Sequence, residues 1–183
     1  MQNNDNVNKM DDQPIATKFK EEPMYSANKI ADWFLSRVNI ESGDTVSHLK
    51  LQKLVYYSQA WHYTLFNQPL FEEKIEAWMH GPVIRSVYNR FQDIPIYNPI
   101  MRDAIIDVPY PTSETTDLLE DINQIYGEHT AKYLEDLTHQ EDPWIIARQG
   151  LPSYAYCENE ITLSSMKEFY TKKLGDNIDA YPN

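Results

Sequence analysis

His139-Gln140-Glu141 has the opening of a zinc-protease helix, in which two histidines one turn apart hold the metal and the glutamate between them is the general base. The second histidine is missing, because Pro143 stands four residues on. The five histidines, His48, His62, His80, His129 and His139, show no close ligand spacing, and the single cysteine, Cys157, cannot anchor a zinc ribbon. Cys157 has the type of a nucleophile, but a free cysteine also serves as a small buried hydrophobe. Five glycines, at 43, 81, 127, 150 and 175, are too scattered to write a dinucleotide or phosphate loop. No serine sits in a G-x-S-x-G elbow. The expectation is a protein without catalytic residues, metal or cofactor. One enzyme reading stays open, a hydrolase built on His139 with Glu141 or Asp142, and it requires a deep polar pocket joining them.

Two stretches carry residues in unusual company. Lys53 lies among Leu49, Tyr56 and Tyr57 at three- and four-residue spacing, so it must either reach water along its stem or meet a carboxylate. Glu76 is the candidate partner. The second stretch runs from Glu76 to Val83, where Gly81 permits a sharp turn, Trp78 can pack beneath it and Pro82 can set the entry to a helix.

These residues need elements to hold them. Ser26 can cap a helix to about residue 38, with Ile30, Trp33, Phe34 and Val38 at helical spacing. Ser47 or Thr45 then opens a helix ending near Phe66. It is apolar on so many sides that it must be buried on more than one. Asn67-Gln68-Pro69 ends it. Residues 75–78 alternate, placing Ile75 and Ala77 on one side and Glu76 and Trp78 on the other, as a short strand does. A helix is expected over 83–91 with Val83, Val87, Tyr88 and Phe91 inward, then a proline-rich connection with an extended edge segment at 104–108. Further helices are expected over 113–126, 129–138, 144–149 and 166–174. The fold class is mainly α (α+β): a single compact multi-helix domain around a buried central helix, with a short β-hairpin or strand element. Its structural core is expected to include Leu54, Tyr57, Trp61, Trp78, Gly81, Pro82 and Tyr88. The expected division is a disordered leader at 1–23, one domain at 24–175 and a flexible tail at 176–183.

The formal charge is −12 with a pI near 4.7. Between positions 107 and 142 there are ten carboxylates against one lysine, Lys132. Such a surface repels phosphate backbones, so direct nucleic-acid binding is not expected, and it would complement a basic protein partner. With one cysteine, no signal segment and no long apolar run, the chain reads as cytoplasmic and unattached to membrane.

Residues 49–83, LKLQKLVYYSQAWHYTLFNQPLFEEKIEAWMHGPV, resemble the signature of the Panacea domain found in SocA-like antitoxins and related phage-associated proteins. The resemblance continues through Val87-Tyr88, Ile125-Tyr126-Gly127, Thr138-His139 and Pro143-Trp144, so that it covers about residues 25–174. His80 departs from it, since that position is more often a tyrosine in the family. The resemblance implies a mainly helical antitoxin that binds a cognate protein toxin, expected to be the product of the adjacent gene, and neutralises it by direct contact. It also leaves two other roles: an adaptor delivering the toxin to a cytoplasmic ATP-dependent protease, or a phage or prophage protein acting on a host factor. Lys53, His80, Arg85, His139 and Trp144 flank the two turns where helices meet and are the expected contact residues. Some relatives carry a helix-turn-helix ahead of the domain, and the leader is too short for one. Deleting residues 1–22 should leave the melting temperature unchanged, since so polar a segment buries little apolar area; a truncated chain that melts well below the full one contradicts this.

Overall fold

The computed structural model describes residues 24–179. Its centre is α2, His48–Phe66, capped at the front by the Ser47 side chain, which accepts from Lys50 N–H, and closed by Asn67 in the left-handed conformation. Thirteen of its nineteen residues are buried, so it has no wet face for its polar side chains. Around it pack α1 (Ala27–Ser36), α4 (Ser113–Gly127), α5 (Ala131–Thr138) and α7 (Leu163–Asp179). A three-stranded antiparallel sheet, with α3 (Arg85–Arg90) and α6 (Asp142–Ala147), completes the shell. The protein is mainly α with a small β element, and among the described residues no helix is long and apolar enough to cross a membrane. The leader expected at 1–23 lies outside the described residues, and α7 runs to Asp179, beyond the residue 174 expected for its end.

The buried polar groups of α2 grip the chain that follows it. Gln59 Oε1 accepts from the backbone N–H of Leu70 (2.7 Å) and Phe71 (3.3 Å), while its Nε2 donates to the Phe71 carbonyl (2.7 Å). Gln52 repeats the device one layer along, accepting from Ile84 N–H at 2.9 Å and donating to its carbonyl at 3.4 Å. Both side chains do for a neighbouring segment what a β-ladder would do.

The sheet has order β2-β1-β3, with β1 Ile75–Trp78, β2 Gly81–Ile84 and β3 Glu160–Ile161. In β1, Ile75 and Ala77 face the core and Glu76 and Trp78 the outside, as the alternation requires. Trp78 pairs with Gly81 across a two-residue turn of Met79 and His80, and Gly81 has φ +93°. Pro82 therefore does not start a helix: it lies in β2 opposite Ala77, and only at Arg85 does α3 begin. A proline is tolerated there because β2 is an edge strand. The extended segment expected at 104–108 is not a strand. A 3-10 turn, Arg102–Ala104, is followed by irregular backbone whose Ile106 and Asp107 N–H groups donate to buried Asp32. Asp32 in turn holds Arg90 at 2.5 Å, and Arg90 also donates to the Ala104 carbonyl, so one ion pair ties α1, α3 and this stretch together. The third strand is instead β3, two residues long and too short for periodicity to reveal.

Gln59→Ala should cost on the order of 2–4 kcal/mol in urea denaturation, since it strands buried backbone donors and an acceptor, whereas Ser58→Ala, which only returns a bond to Leu54 within the same helix, should cost under about 1 kcal/mol. Equal costs would show that the glutamine bridge does not hold the following segment.

Candidate functional site

Lys53 is fully buried in the middle of α2 and cannot reach water. Its Nζ donates to the Pro82 carbonyl at 3.1 Å, on the outer edge of β2. The carboxylate expected to neutralise it, Glu76, points elsewhere: it takes Arg85 through two bonds of 3.0 and 2.6 Å and the Trp78 indole N–H at 2.6 Å. The charge that acts on Lys53 is Glu135 of α5, but burial outweighs it, and the lysine pKa falls from its ordinary range to about 7. Gly81 seals the pocket from above. A Cβ there would stand 2.7 Å from Thr138 Oγ1 and 2.8 Å from Lys53 Nζ, so both the left-handed backbone and the close approach require glycine.

Glu135 is itself buried and links this interior to the surface. His80 at the hairpin turn meets its Oε1 at 2.8 Å, and Lys132 stands 3.5 Å from its Oε2. Burial alone would raise the Glu135 pKa, but the His80 hydrogen bond and the nearby charges of His80, Lys132 and His139 leave it below the usual carboxylate range. His139 lies flat on Trp144, with ring centroids 4.1 Å apart. Burial is the main cause that lowers its pKa, and Lys53 adds to the effect. Trp144 donates from its indole N–H to the Trp78 carbonyl at 2.9 Å, which closes the ring of contacts around the hairpin turn.

Arg148, one residue past α6, is equally buried. It donates to the carbonyls of Ala77 (2.8 Å), Pro152 (2.6 Å) and Ala155 (2.7 Å), and it lies 4.8 Å over the Trp144 ring. It thereby fixes the loop that carries Tyr154, Tyr156 and Cys157 beside the hairpin. Between that loop, the hairpin turn and the start of α2 lies an apolar groove of about 320 Å³, with His48 and Tyr88 at its floor and Trp78, Met79 and Tyr156 at its walls. Arg85 bridges Glu76 and Glu158 at one rim, the latter at 2.5 Å.

Of the five expected contact residues, His80, Arg85 and His139 reach the surface at least in part, while Lys53 and Trp144 are buried and can only support that surface from beneath. Leu54, Tyr57, Gly81 and Pro82 are buried. Trp61, Trp78 and Tyr88, expected in the core, are half-buried. Each of the two tryptophans keeps its indole N–H at the core's margin, Trp61 donating to Tyr126 Oη and Trp78 to Glu76. The expected hydrolase pair of His139 with Glu141 or Asp142 does not form, and Asp142 is exposed at the start of α6. His139 belongs to the hairpin cluster, whereas Glu141 points into a tyrosine cluster, accepting from Tyr170 Oη at 2.7 Å and lying 3.5 Å from Lys173. Burial raises the Glu141 pKa, against the opposing hydrogen bond of Tyr170. Sequence reading missed Glu135, Arg148 and the Tyr154–Tyr156 loop, and had Thr138 only as part of the family resemblance. Glu135 and Thr138 had a usable signal, since both fall on the same α5 face as Leu134; Arg148 had none.

A family model described as antitoxin SocA-like, Panacea domain, matches residues 51–145, just over half of the chain. The match begins within α2 and takes in the hairpin, α3, α4, α5 and the start of α6, so Lys53, His80, Gly81, Glu135, His139 and Trp144 all fall inside it. No curated protein and no solved structure matches the chain.

The depressed Lys53 pKa has a stability consequence. Between about pH 7 and the ordinary lysine value of 10.5 the unfolded chain binds a proton that the folded chain does not, so Lys53 makes stability rise as pH rises through that window. Urea denaturation at pH 7 and pH 9 should show this rise in the wild type and a flatter profile in Lys53→Met. Parallel profiles would mean that the amine is charged in the fold.

Proposed function

The chain belongs to the Panacea-domain family of SocA-like antitoxins, and from that membership we propose that it neutralises a cognate protein toxin by direct, stoichiometric contact. The observation that carries the reading is the family match across 51–145, the segment that builds the central helix, the hairpin and the buried cluster behind it. The surface supports it. Of the ten carboxylates between 107 and 142, Glu135 and Glu141 are buried and the other eight are exposed, three of them paired with Lys29, Arg37 and Lys132; the remaining excess of negative charge suits a basic toxin and not a phosphate backbone. A single free cysteine suits work in a reducing cytoplasm. The partner is the product of the adjacent gene, and His80, Arg85 and His139 stand on the contact side. The domain division at 24 and 175, with leader and tail outside the binding unit, belongs to the same proposal.

Co-expression with the neighbouring gene's product should rescue growth, and the two proteins should copurify. Rescue should persist in a strain lacking the cytoplasmic ATP-dependent proteases. Rescue that disappears there would make the chain a proteolytic adaptor, and a neighbour that is harmless when expressed alone would remove the antitoxin reading.

A further inference from the structure

We propose that the groove beside the hairpin seats one apolar anchor side chain carried on a basic segment of a protein partner. The assignment rests on the antitoxin reading and names the part of the surface that reads the toxin. Size comes first. At about 320 Å³ the groove is at the lower limit of small-molecule sites, which run from roughly 300 to 1,000 Å³, and it has room for one or two large side chains.

Lining comes second. Tyr154 and Tyr156 are 79% and 80% exposed on a loop that Arg148 holds by three backbone carbonyls, so their backbone is fixed while their rings stand in water. Met79 is 42% exposed across from them at the hairpin turn. Rigidly mounted tyrosines with an adaptable methionine opposite are the kind of surface that protein interfaces bury, because the rings give large contact area for little lost rotamer freedom.

The floor supplies one polar handle. His48 is only 1% exposed, packs 5.3 Å from the Tyr88 ring, and lies close to the Ile94 carbonyl. No hydrogen bond of good geometry reaches either ring nitrogen, and the Ile94 carbonyl could serve only one of them. At least one nitrogen is therefore left to meet a polar group on whatever enters. Burial lowers the His48 pKa, which keeps the imidazole neutral and able to act as acceptor.

Charge selects the segment. At one rim Glu76 and Glu158 share a single cation, Arg85. At the hairpin end, Glu135 and Asp136 share Lys132. At the Arg85 rim carboxylates outnumber cations two to one, and at the hairpin end buried Glu135 is held by His80 while exposed Asp136 is matched by Lys132, within a chain of formal charge −12. A basic flank beside the anchor fits this balance, and an acidic one does not.

The probe is a short synthetic peptide with one Phe set among Leu and Lys, fluorescently labelled and titrated into the full-length chain. Binding should saturate, weaken as salt rises, and fall at least about tenfold with Tyr156→Ala or Met79→Glu, exposed positions where melting temperature should not move. Replacing the peptide's Phe with Ala, or its lysines with Glu, should weaken binding by a similar factor. Variants that bind like wild type, or an acidic peptide that binds as well, would overturn the assignment. A chain lacking residues 1–22 that binds the probe several-fold tighter would give the groove to its own leader, which also overturns it. The two readings separate with the cognate toxin. If the groove variants still copurify with it and rescue, the groove is wrong and the antitoxin stands. If the wild type binds the probe through the groove but never neutralises the neighbour's product, the groove stands and the antitoxin reading falls.

Discussion

A helix with no wet face must find partners inside the fold for the polar side chains it carries, and along most of α2 a neighbouring segment supplies them, with His48 at its first turn the exception. Gln59 goes to the backbone after the helix, Gln52 to the end of β2, His62 to the Gln68 carbonyl and Thr115, and Lys53 to the Pro82 carbonyl. An unmade bond at any of these sites would cost more than the made bond contributes, because the group is already out of water. The hairpin is therefore held by more than its own short ladder. β2 is an edge strand only four residues long, and α2 supplies partners for the groups that face away from β1.

Lys53 is the most demanding of these residues, and its surroundings show how the demand is met. One carbonyl and the field of Glu135 do not fully compensate a buried ammonium, so the amine gives up its proton far more readily than an exposed lysine. Glu135 remains ionised by drawing on His80 and Lys132, both of which reach toward solvent. The buried charge is in effect relayed outward through the residue at the hairpin turn. That places His80 at once against buried Glu135 and beside the groove.

The C-terminal third supplies two further buried charges with opposite solutions. Arg148 has carbonyl dipoles and the Trp144 face in place of a carboxylate, and spends them on fixing a loop. Glu141 has tyrosine hydroxyls and a distant Lys173, and spends them on joining α6 to α7 and α2. The two are not paired with each other, and Glu141 is not paired with His139. The fold thus uses its charged interior to set shape, and the apolar groove is the product of that shape.

What the sequence by itself determined was local. Ser26, Ser47 and Asn67 mark helix ends because a cap bonds within a few residues of itself, and Ile75 and Ala77 face inward because a strand alternates regardless of what covers it. The breadth of apolar residues on α2 announced its burial for the same reason. The family, too, was legible, since its signature lies in one continuous run. Only the tertiary structure decided the partners of the charges: His80 finds Glu135 55 residues away, Arg148 finds Ala77 at 71, and Tyr57 finds Glu141 at 84. Being in the next element of the chain gives a carboxylate no claim on a lysine once other helices bring closer ones, which is why Glu76 went to Arg85 and Lys53 was left to Glu135. Pro82 illustrates the same limit. Its fixed φ suits a helix start and an edge strand alike, and the long-range pairing with β1, where Pro82 stands opposite Ala77, decided for the strand.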